Sequence, residues 1–278
     1  MPGALPPVAT PNSRAGCTRR VTSRLRRMGR VLITGASSGI GAALARRLAA
    51  PGHELVLTAR RQHELDAVAA DVRRSGGSAR VIAADLRDDD SVDGLVASLS
   101  AAPDAVVCNA GLSIARSAAE QVGRHHDLER SMRVTFLGHS RLVLGLLPAM
   151  AARGSGHVVG VPTVNARMPV PGWGAYCASK AAMDGWLRAI GPELRRDSID
   201  VSVVELGLVR TPMSAPTYGD RPPFSESAAD AAARIERVLR RPRPLVSPAW
   251  ARAGSTLTAA APALSARLIG LGSLRRRR

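Results

Sequence analysis

The chain has 278 residues, 45% of them hydrophobic, and a formal net charge of +17. This length and apolar content suit one large domain with a substantial core. No run reaches the ~18 uninterrupted apolar residues that a spanning helix needs, and 3% aromatic residues are too few for a nucleic-acid stacking platform, so we expect neither a membrane span nor a nucleic-acid-binding protein.

The first predicted segment, residues 1–29, is a basic extension that is rich in Pro, Ser and Arg. Residues 1–27 hold six arginines and no acid, and neither helical nor strand periodicity is present, which predicts disorder. Because Met28 stands just before the first strand pattern, the extension is either a mobile tail or the product of an upstream start codon. An acid-free, Arg-rich start also suits an organelle transit peptide, although a clear amphipathic helix is lacking.

Residues 30–248 alternate short apolar runs with longer helical patterns. This rhythm predicts an α/β fold, a Rossmann-like doubly wound parallel sheet of six to seven strands in a single domain. The helical patterns begin near Ile40, Gln62, Asp89, Val122, Ala175 and Ser227. The predicted strands are Val31 to Thr34, Glu54 to Ala59, Ala79 to Ala84, Ala105 to Cys108, His157 to Val161, Val201 to Glu205 and a weak one near Leu245.

The last segment, residues 249–278, is an apolar and basic tail. Its Ala, Leu and Gly-rich stretch from Leu257 to Leu274 is followed by four arginines, and it predicts a short amphipathic helix. One interpretation is a helix packed over the substrate pocket. The other is an interfacial helix whose basic end meets anionic lipid headgroups, which would give peripheral contact with a membrane.

A glycine-rich turn follows the first predicted strand and opens the first helix. Its glycines allow a tight turn, close approach of the backbone to a pyrophosphate and close packing of helix on strand. The N–H groups of the first helical turn then meet the phosphates. This context predicts a dinucleotide site with the residues Gly35, Ser37, Ser38, Gly39, Ile40 and Gly41.

The end of the second strand indicates which dinucleotide binds. An acidic residue there would bind the ribose 2′-hydroxyl of NAD, but the strand ends in Arg60 and Arg61. A guanidinium suits a 2′-phosphate, so we expect NADP(H) to be preferred over NAD(H), with Arg60 as the better choice of the two arginines.

One lysine stands in this chain among 38 arginines, and it lies four residues after one of only two tyrosines. On a helix, Tyr176 and Lys180 would share one face, so the phenol and the ammonium can converge. Lys can tune the pKa of a neighbour and arginine cannot replace it in that role. The pair therefore predicts a site of proton transfer.

The glycine turn and the Tyr-x-x-x-Lys pair, about 140 residues apart, together resemble the short-chain dehydrogenase/reductase family over residues 30–247. Three further motifs support the resemblance at the expected intervals. They imply an adenine contact, an N-N-A-G-type motif with Cys in the first place, and a segment that lines the nicotinamide. The cofactor residues in them are Asp85, Leu86, Asn109, Ala110, Gly111, Gly207, Val209 and Thr211, together with Tyr176 and Lys180.

The resemblance implies that Tyr176 is the general acid in carbonyl reduction and the general base in alcohol oxidation. Lys180 would lower the pKa of Tyr176 and hold the nicotinamide ribose. Thr163 stands where the family has a substrate-binding serine, Thr135 where it has a relay asparagine, and Leu206 where it has a proline. These departures leave open a second interpretation, a cofactor-binding protein with little turnover that acts as a redox sensor or scaffold.

The substrate and partners are predicted less directly. Apolar residues between Thr163 and Tyr176, and in the loop after Thr211, suit a lipidic, steroid-like or aromatic carbonyl compound. The scattered cysteines suit a cytoplasmic protein, and the resemblance implies a homodimer or homotetramer. The adjacent His125 and His126 point in different directions on a helix, so no metal site is expected.

Overall fold

The computed structural model describes residues 29–267. Predictions for residues 1–28 and 268–278, which are most of the basic extension and the last part of the tail, lie outside the described residues. The described chain forms a single α/β domain in which helices cover both faces of one parallel sheet.

Seven parallel strands form the main sheet in the order β3-β2-β1-β4-β5-β6-β9. The predicted fold class is therefore confirmed, and the strand bounds differ from the prediction by two residues at most. Two further strands, β7 and β8, form a separate parallel pair. The strands are β1 Arg30–Thr34, β2 Glu54–Ala59, β3 Ser78–Ala83, β4 Ala105–Cys108, β5 Gly156–Gly160, β6 Ile199–Val204, β7 Val209–Arg210, β8 Glu226–Ser227 and β9 Leu245–Val246.

The strand order reverses beside β1, which pairs with β2 on one side and with β4 on the other. In doubly wound sheets a crevice opens at such a point, beyond the carboxyl ends of the strands, and ligands bind there. The predicted glycine turn and the predicted N-N-A-G-type motif follow β1 and β4, so the topology brings them to this crevice.

Ten α-helices connect the strands of the described region. They are α1 Gly39–Arg47, α2 Gln62–Arg74, α3 Asp89–Ala97, α4 Ala118–Gln121, α5 His125–Met132, α6 Gly138–Arg153, α7 Gly174–Leu194, α8 Ala215–Tyr218, α9 Ala228–Arg240 and α10 Ala249–Ala260.

The sheet separates two hydrophobic cores. Alternate side chains of a strand point to opposite faces, so Val31 and Ile33 pack in one core while Leu32 packs in the other. Helices α1, α2 and α9 close the first core, and α3, α6 and α7 close the second. Because both faces are covered, the central strands are continuous apolar runs and not alternating ones.

Helices α5 and α6 are joined without a break by a π-helical turn, Arg133–Leu137. The combined segment, His125–Arg153, has the length and mean hydropathy of a membrane span. In this fold it lies against the sheet, with Leu142, Val143 and Met150 buried in the second core. Core helices of globular domains share this composition, so the segment by itself is weak evidence for a span.

Three local features differ from the sequence prediction. The helix expected near Val122 is two helices, because Gly123 adopts a left-handed φ of 71° between them. The tail helix begins at Ala249 and not near Leu257, directly after Pro248, whose fixed φ suits a helix start. The loop after Thr211 contains α8, and the strands on either side of this loop, β7 and β8, pair with each other; none of these elements was predicted.

Candidate active site

The glycine turn between β1 and α1 is shaped by close backbone contacts. Gly35 and Gly39 have left-handed φ angles of 65° and 54°, which glycine adopts at little cost. A Cβ on Gly41 would overlap the Gly35 carbonyl oxygen, and one on Gly35 would lie 2.9 Å from the Ala110 Cα. The turn therefore requires glycine at these positions for its own geometry.

The amide end of α1 is open for a ligand. Ser38 is the N-cap, but its side chain makes no capping hydrogen bond, and no acidic residue lies in the first turn. Unpartnered N–H groups and the helix dipole favour a phosphate at this place. Ser37, Ser38 and Ile40 lie at this end, half-buried, so the residues present fit a dinucleotide pyrophosphate.

Thr34 and Asn109 connect the ends of β1 and β4. The Thr34 hydroxyl oxygen accepts hydrogen bonds from the backbone N–H groups of Asn109 at 2.9 Å and of Ala110 at 3.0 Å. The Asn109 side-chain amide in turn donates to the carbonyl oxygens of Thr34 at 3.0 Å and Gly35 at 3.4 Å. We call Thr34, Gly35, Asn109 and Ala110 the cradle. It ties the glycine turn to the N-N-A-G-type motif.

The two arginines after β2 have different surroundings. Arg61 forms an ion pair with Glu64 at 2.7 Å. Arg60 is exposed, and within residues 29–267 it takes part in none of the ion pairs found. Asp85, the predicted adenine contact, is held by Arg87, whose Nη2 lies 2.5 Å from its carboxylate; Leu86 beside it is buried.

Tyr176 lies in the first turn of α7, half-buried, beside Thr163 at the end of β5. The Thr163 hydroxyl accepts a hydrogen bond from the Asn165 N–H at 3.3 Å, so its own proton can be donated to the Tyr176 phenol beside it. Trp173 packs edge-on against the Tyr176 ring and stacks on Tyr218 of α8, with ring centroids 6.0 and 5.9 Å apart. The phenol thus has a hydroxyl on one side and an aromatic wall on the other.

The pKa of Tyr176 differs from the sequence expectation. Burial raises the pKa of the phenol to about 12, and the interaction with Thr163 acts in the opposite direction. We expected Lys180 to lower this pKa, and the structure gives the opposite direction of shift. The reason is that desolvation of the phenolate outweighs any effect of the buried ammonium in the protein alone.

Lys180 is 4% exposed and is directed toward the end of β4. Its Nζ donates to the Val161 carbonyl oxygen at 2.9 Å and lies 3.2 Å from the place that a Cβ on Gly111 would occupy. Burial lowers the pKa of Lys180 to about 8. A compact ammonium fits between these groups, and Gly111 leaves room for it.

Thr135 lies in the π-helical turn close to Lys180. Its side chain is fully buried and its hydroxyl has no hydrogen-bond partner in the protein. The hydroxyl lies 3.8 Å from the same Gly111 Cβ position that the Lys180 ammonium approaches. The structure therefore brings Thr135, Gly111 and Lys180 together, as their predicted roles require.

The segment after β6 closes the other side of the crevice. An isolated bridge pairs Thr163 with Leu206, so the next residue, Gly207, stands beside the predicted catalytic residues. Thr211 lies against Gly39, and its Cγ2 is 3.2 Å from the place that a Cβ on Gly39 would occupy. Val209, which lies between Gly207 and Thr211 in the sequence, is buried. Hence the predicted nicotinamide segment reaches the glycine turn.

Trp173 and Tyr218, which the sequence placed in the apolar lining, lie at this site. Sequence reasoning missed Trp250 of α10, which packs 3.5 Å from a Cβ position on Gly207. His139, fully buried in α6, was also not predicted. No short motif marks these residues. In residues 29–267 no group of three or more His, Cys, Asp or Glu side chains is placed to hold a metal ion.

A family model described as short chain dehydrogenase matches residues 29–221 of this chain. A fatty acyl-CoA reductase of Acinetobacter baylyi is 38% identical over 247 residues, which cover 87% of this chain and 83% of that protein. A fatty acyl-CoA reductase of Mycobacterium tuberculosis is 39% identical over 192 residues, covering 68% of this chain and 65% of its own length.

Solved structures of short-chain dehydrogenases are also similar to this chain. A short-chain dehydrogenase from Sphingobium yanoikuyae in complex with NADPH has a TM-score of 0.74 and 28% identity, and the match covers 88% of this chain and 95% of that one. A metagenomic short-chain oxidoreductase in complex with NADP has a TM-score of 0.69 and 27% identity, over 81% of this chain and 98% of that one.

Proposed function

The chain belongs to the short-chain dehydrogenase family and is an oxidoreductase acting on CH–OH and C=O groups, and from this premise we propose that it reduces the carbonyl group of a hydrophobic substrate with NADPH. The observation that carries the proposal is the convergence of Tyr176, Thr163 and Lys180 at the carboxyl end of the sheet, beside a glycine turn that fits a pyrophosphate.

Each residue has a distinct part in this reaction. Tyr176 donates its phenolic proton to the carbonyl oxygen, and Thr163 donates a hydrogen bond to the same oxygen. Lys180 would hold the ribose of the bound cofactor with its ammonium group. The bound nicotinamide supplies the hydride. Trp173 and Tyr218 form an apolar wall that keeps water from the phenol.

We propose that the substrate carries a fatty acyl chain. Met213, Tyr218 and Phe224 lie in the loop after Thr211, where Met213 and Phe224 are exposed, and Met168 packs against Gly254 of α10. The names of the Acinetobacter and Mycobacterium relatives support the same class. Reduction of an acyl-CoA thioester consumes one NADPH and one proton and releases the aldehyde, free CoA and NADP⁺; reduction of an aldehyde gives the alcohol.

The test is NADPH oxidation by the purified full chain with long-chain acyl-CoA, long-chain aldehyde, a steroid ketone and a short polar ketone as substrates. We expect turnover with the long-chain compounds and none with the polar ketone. Turnover of the polar ketone alone would contradict the substrate class. Cofactor binding with no turnover of any compound would instead favour the sensor or scaffold function.

Arg60 is expected to select NADPH over NADH. Its guanidinium is exposed and without an ion pair in the described region, and a charged hydrogen bond to the 2′-phosphate is worth about 1.5–3 kcal/mol. We expect Arg60→Ala to raise the Kd of NADPH about 10- to 100-fold and to leave NADH binding unchanged, as measured by fluorescence titration. Arg61→Ala is the matched control; an equal loss in that variant would mean that Arg61 binds the phosphate.

The two directions of the reaction should differ in pH dependence. Because the pKa of Tyr176 is raised to about 12, the phenol stays protonated through neutrality and can act as the acid. We expect kcat/KM for carbonyl reduction to stay level from about pH 6 to about pH 7 and to fall as the pH rises through about 8, where Lys180 loses its proton. Alcohol oxidation needs the phenolate and should rise with pH. A reduction rate that falls between about pH 6 and about pH 7 would disprove this assignment.

We also propose peripheral contact of the tail with an anionic membrane. Trp250, Leu257 and Leu264 are 61%, 44% and 51% exposed and are spaced seven residues apart. No acid follows Glu236 in the sequence, whereas ten arginines do. Apolar side chains beside a basic segment favour the surface of anionic lipid.

The full chain should therefore sediment with vesicles that contain phosphatidylglycerol and remain in solution with phosphatidylcholine alone. A variant with Leu257→Glu and Leu264→Glu should lose this binding at least tenfold. Val122→Glu, the same kind of change at an exposed valine, is the control. Equal loss in the control, or binding that salt does not weaken, would contradict the proposed contact.

A homodimer or homotetramer is the expected assembly, through the helices at residues 122–152 and 175–197. Leu137 and Leu144, on the first of these, are 44% and 54% exposed, and Phe136 packs on Trp186 between the two helices. Light scattering of the purified protein measures this state directly.

A further inference from the structure

His139 is a buried titratable residue that the proposed chemistry does not use. It lies in the first turn of α6, directly after the π-helical turn, and is 1% exposed. Its Nδ1 lies 2.9 Å from the Thr135 carbonyl oxygen, and its Nε2 lies 2.8 Å from the Thr34 hydroxyl oxygen. One imidazole thus joins the π-helical turn to the cradle.

The proton positions in this contact follow from the partners. A carbonyl oxygen can only accept, so Nδ1 carries a proton and donates it to Thr135. Burial lowers the pKa of His139 to about 4, with a smaller contribution in the same direction from the Lys180 charge. The imidazole is therefore neutral at pH 7, and Nε2 has a free lone pair.

Thr34 must supply the proton on the other side. Its hydroxyl oxygen already accepts from the N–H groups of Asn109 and Ala110, so the hydroxyl proton is what remains. That proton has two acceptors within reach, the Val107 carbonyl oxygen at 3.1 Å and the His139 Nε2 at 2.8 Å. The histidine is the closer one, and in the protein interior its lone pair would otherwise be unsatisfied.

We propose that His139 is a positioning residue that holds the cradle and the surroundings of the Lys180 ammonium in one fixed arrangement. The hydrogen bonds form a chain with one donor direction. Asn109 and Ala110 donate to Thr34, Thr34 donates to His139, and His139 donates to Thr135. Thr135 ends this chain beside Gly111 and the Lys180 ammonium. The inference rests on the proposed function, because it assigns His139 a part in binding NADPH.

A double-mutant cycle in NADPH affinity tests this role. His139→Asn places an amide near the Nδ1 position and can keep the bond to Thr135, but it cannot reach Thr34. Thr34→Val removes the hydroxyl from the other end. His139→Asn should raise the Kd of NADPH about tenfold, because the cradle must then be ordered on binding. Thr34→Val should raise it more, because it also leaves the N–H groups of Asn109 and Ala110 without their acceptor. The double variant should bind NADPH no more weakly than Thr34→Val alone, since the bond to His139 is already absent there.

His139→Gln is the conservative variant, because its amide oxygen can reach the Nε2 position and accept from Thr34. It should bind NADPH within about threefold of the unaltered protein. All titrations are made well below the midpoint of thermal unfolding of each variant, so that a loss of stability alone does not change the Kd. Thr34→Ser, which keeps the hydroxyl and changes only the size of the side chain, is the control for Thr34→Val.

The outcomes separate this inference from the proposed function. If the unaltered protein binds neither NADPH nor NADH, the proposed function fails. If it binds NADPH and His139→Asn binds equally well, the role of His139 is wrong while the function stands. A loss in the double variant equal to the product of the two single losses would also overturn the inference, because the two residues would then act independently. If His139→Asn does not fold, the same cycle is made with His139→Ala, which also removes the bond to Thr34, and a Kd of NADPH equal to that of the unaltered protein would again overturn the role of His139.

Discussion

Replacing Tyr176 by phenylalanine is expected to lower kcat for carbonyl reduction about a thousandfold and to change the Kd of NADPH by no more than about twofold. A positioned general acid contributes roughly a hundredfold to ten-thousandfold to such a rate. The ring of Tyr176 remains in Tyr176→Phe, so its packing on Trp173 is kept and only the proton donor is lost. Stopped-flow measurement of NADPH oxidation and a separate binding titration give the two quantities.

The second tyrosine of the chain provides a matched control. Tyr218 stacks on the same tryptophan, and Tyr218→Phe removes an identical hydroxyl from the loop after Thr211. We expect this variant to change KM severalfold and to keep most of kcat. If Tyr176→Phe retained turnover, Tyr176 would not be the proton donor, whatever its effect on binding.

Replacing Lys180 by arginine is expected to abolish turnover and to lower the free energy of unfolding by about 2–3 kcal/mol. The Lys180 ammonium is buried between the Val161 carbonyl oxygen and Gly111, so a longer planar group has no room. Its lowered pKa of about 8 means that the site already disfavours the cation. Arginine cannot escape that cost by losing its proton.

Lys180→Met separates size and charge in this test. The methionine stem fills the same space without a charge, so we expect a folded protein at least as stable as the original, with little turnover and weaker NADPH binding. Thermal unfolding and kcat are measured for both variants. Turnover within about tenfold of the original in Lys180→Arg would mean that the lone lysine of this chain is not required for chemistry.

Much of the fold could be predicted because the strand signals are local. Runs such as Val31 to Ile33 are apolar at every position, as strands covered on both faces must be, and Gly35, Gly39 and Gly41 mark the turn that follows. The pairing of Tyr176 with Lys180 follows from their spacing in the sequence, and Asn109 follows from the resemblance of its motif to that of the family. The structure brings all of them to the switch point beside β1.

The remaining features depend on contacts between distant parts of the chain. The π-helical turn at Arg133–Leu137 has no sequence pattern of its own. The bond from His139 to Thr34 joins residues 105 positions apart, and the raised pKa of Tyr176 depends on how deeply surrounding elements bury it. The start of α10 was placed too late because its first turn, at Ala249 and Trp250, has no side-chain cap.

The stack of Trp173 on Tyr218 has a practical consequence for spectroscopy. The chain has three tryptophans, and this one contacts both the Tyr176 ring and α8 in the loop after Thr211. Any movement of that loop during turnover must change the surroundings of the Trp173 indole. The protein therefore carries an intrinsic optical reporter at the entrance to its active site, so that opening and closing could be timed by tryptophan emission without attaching a dye.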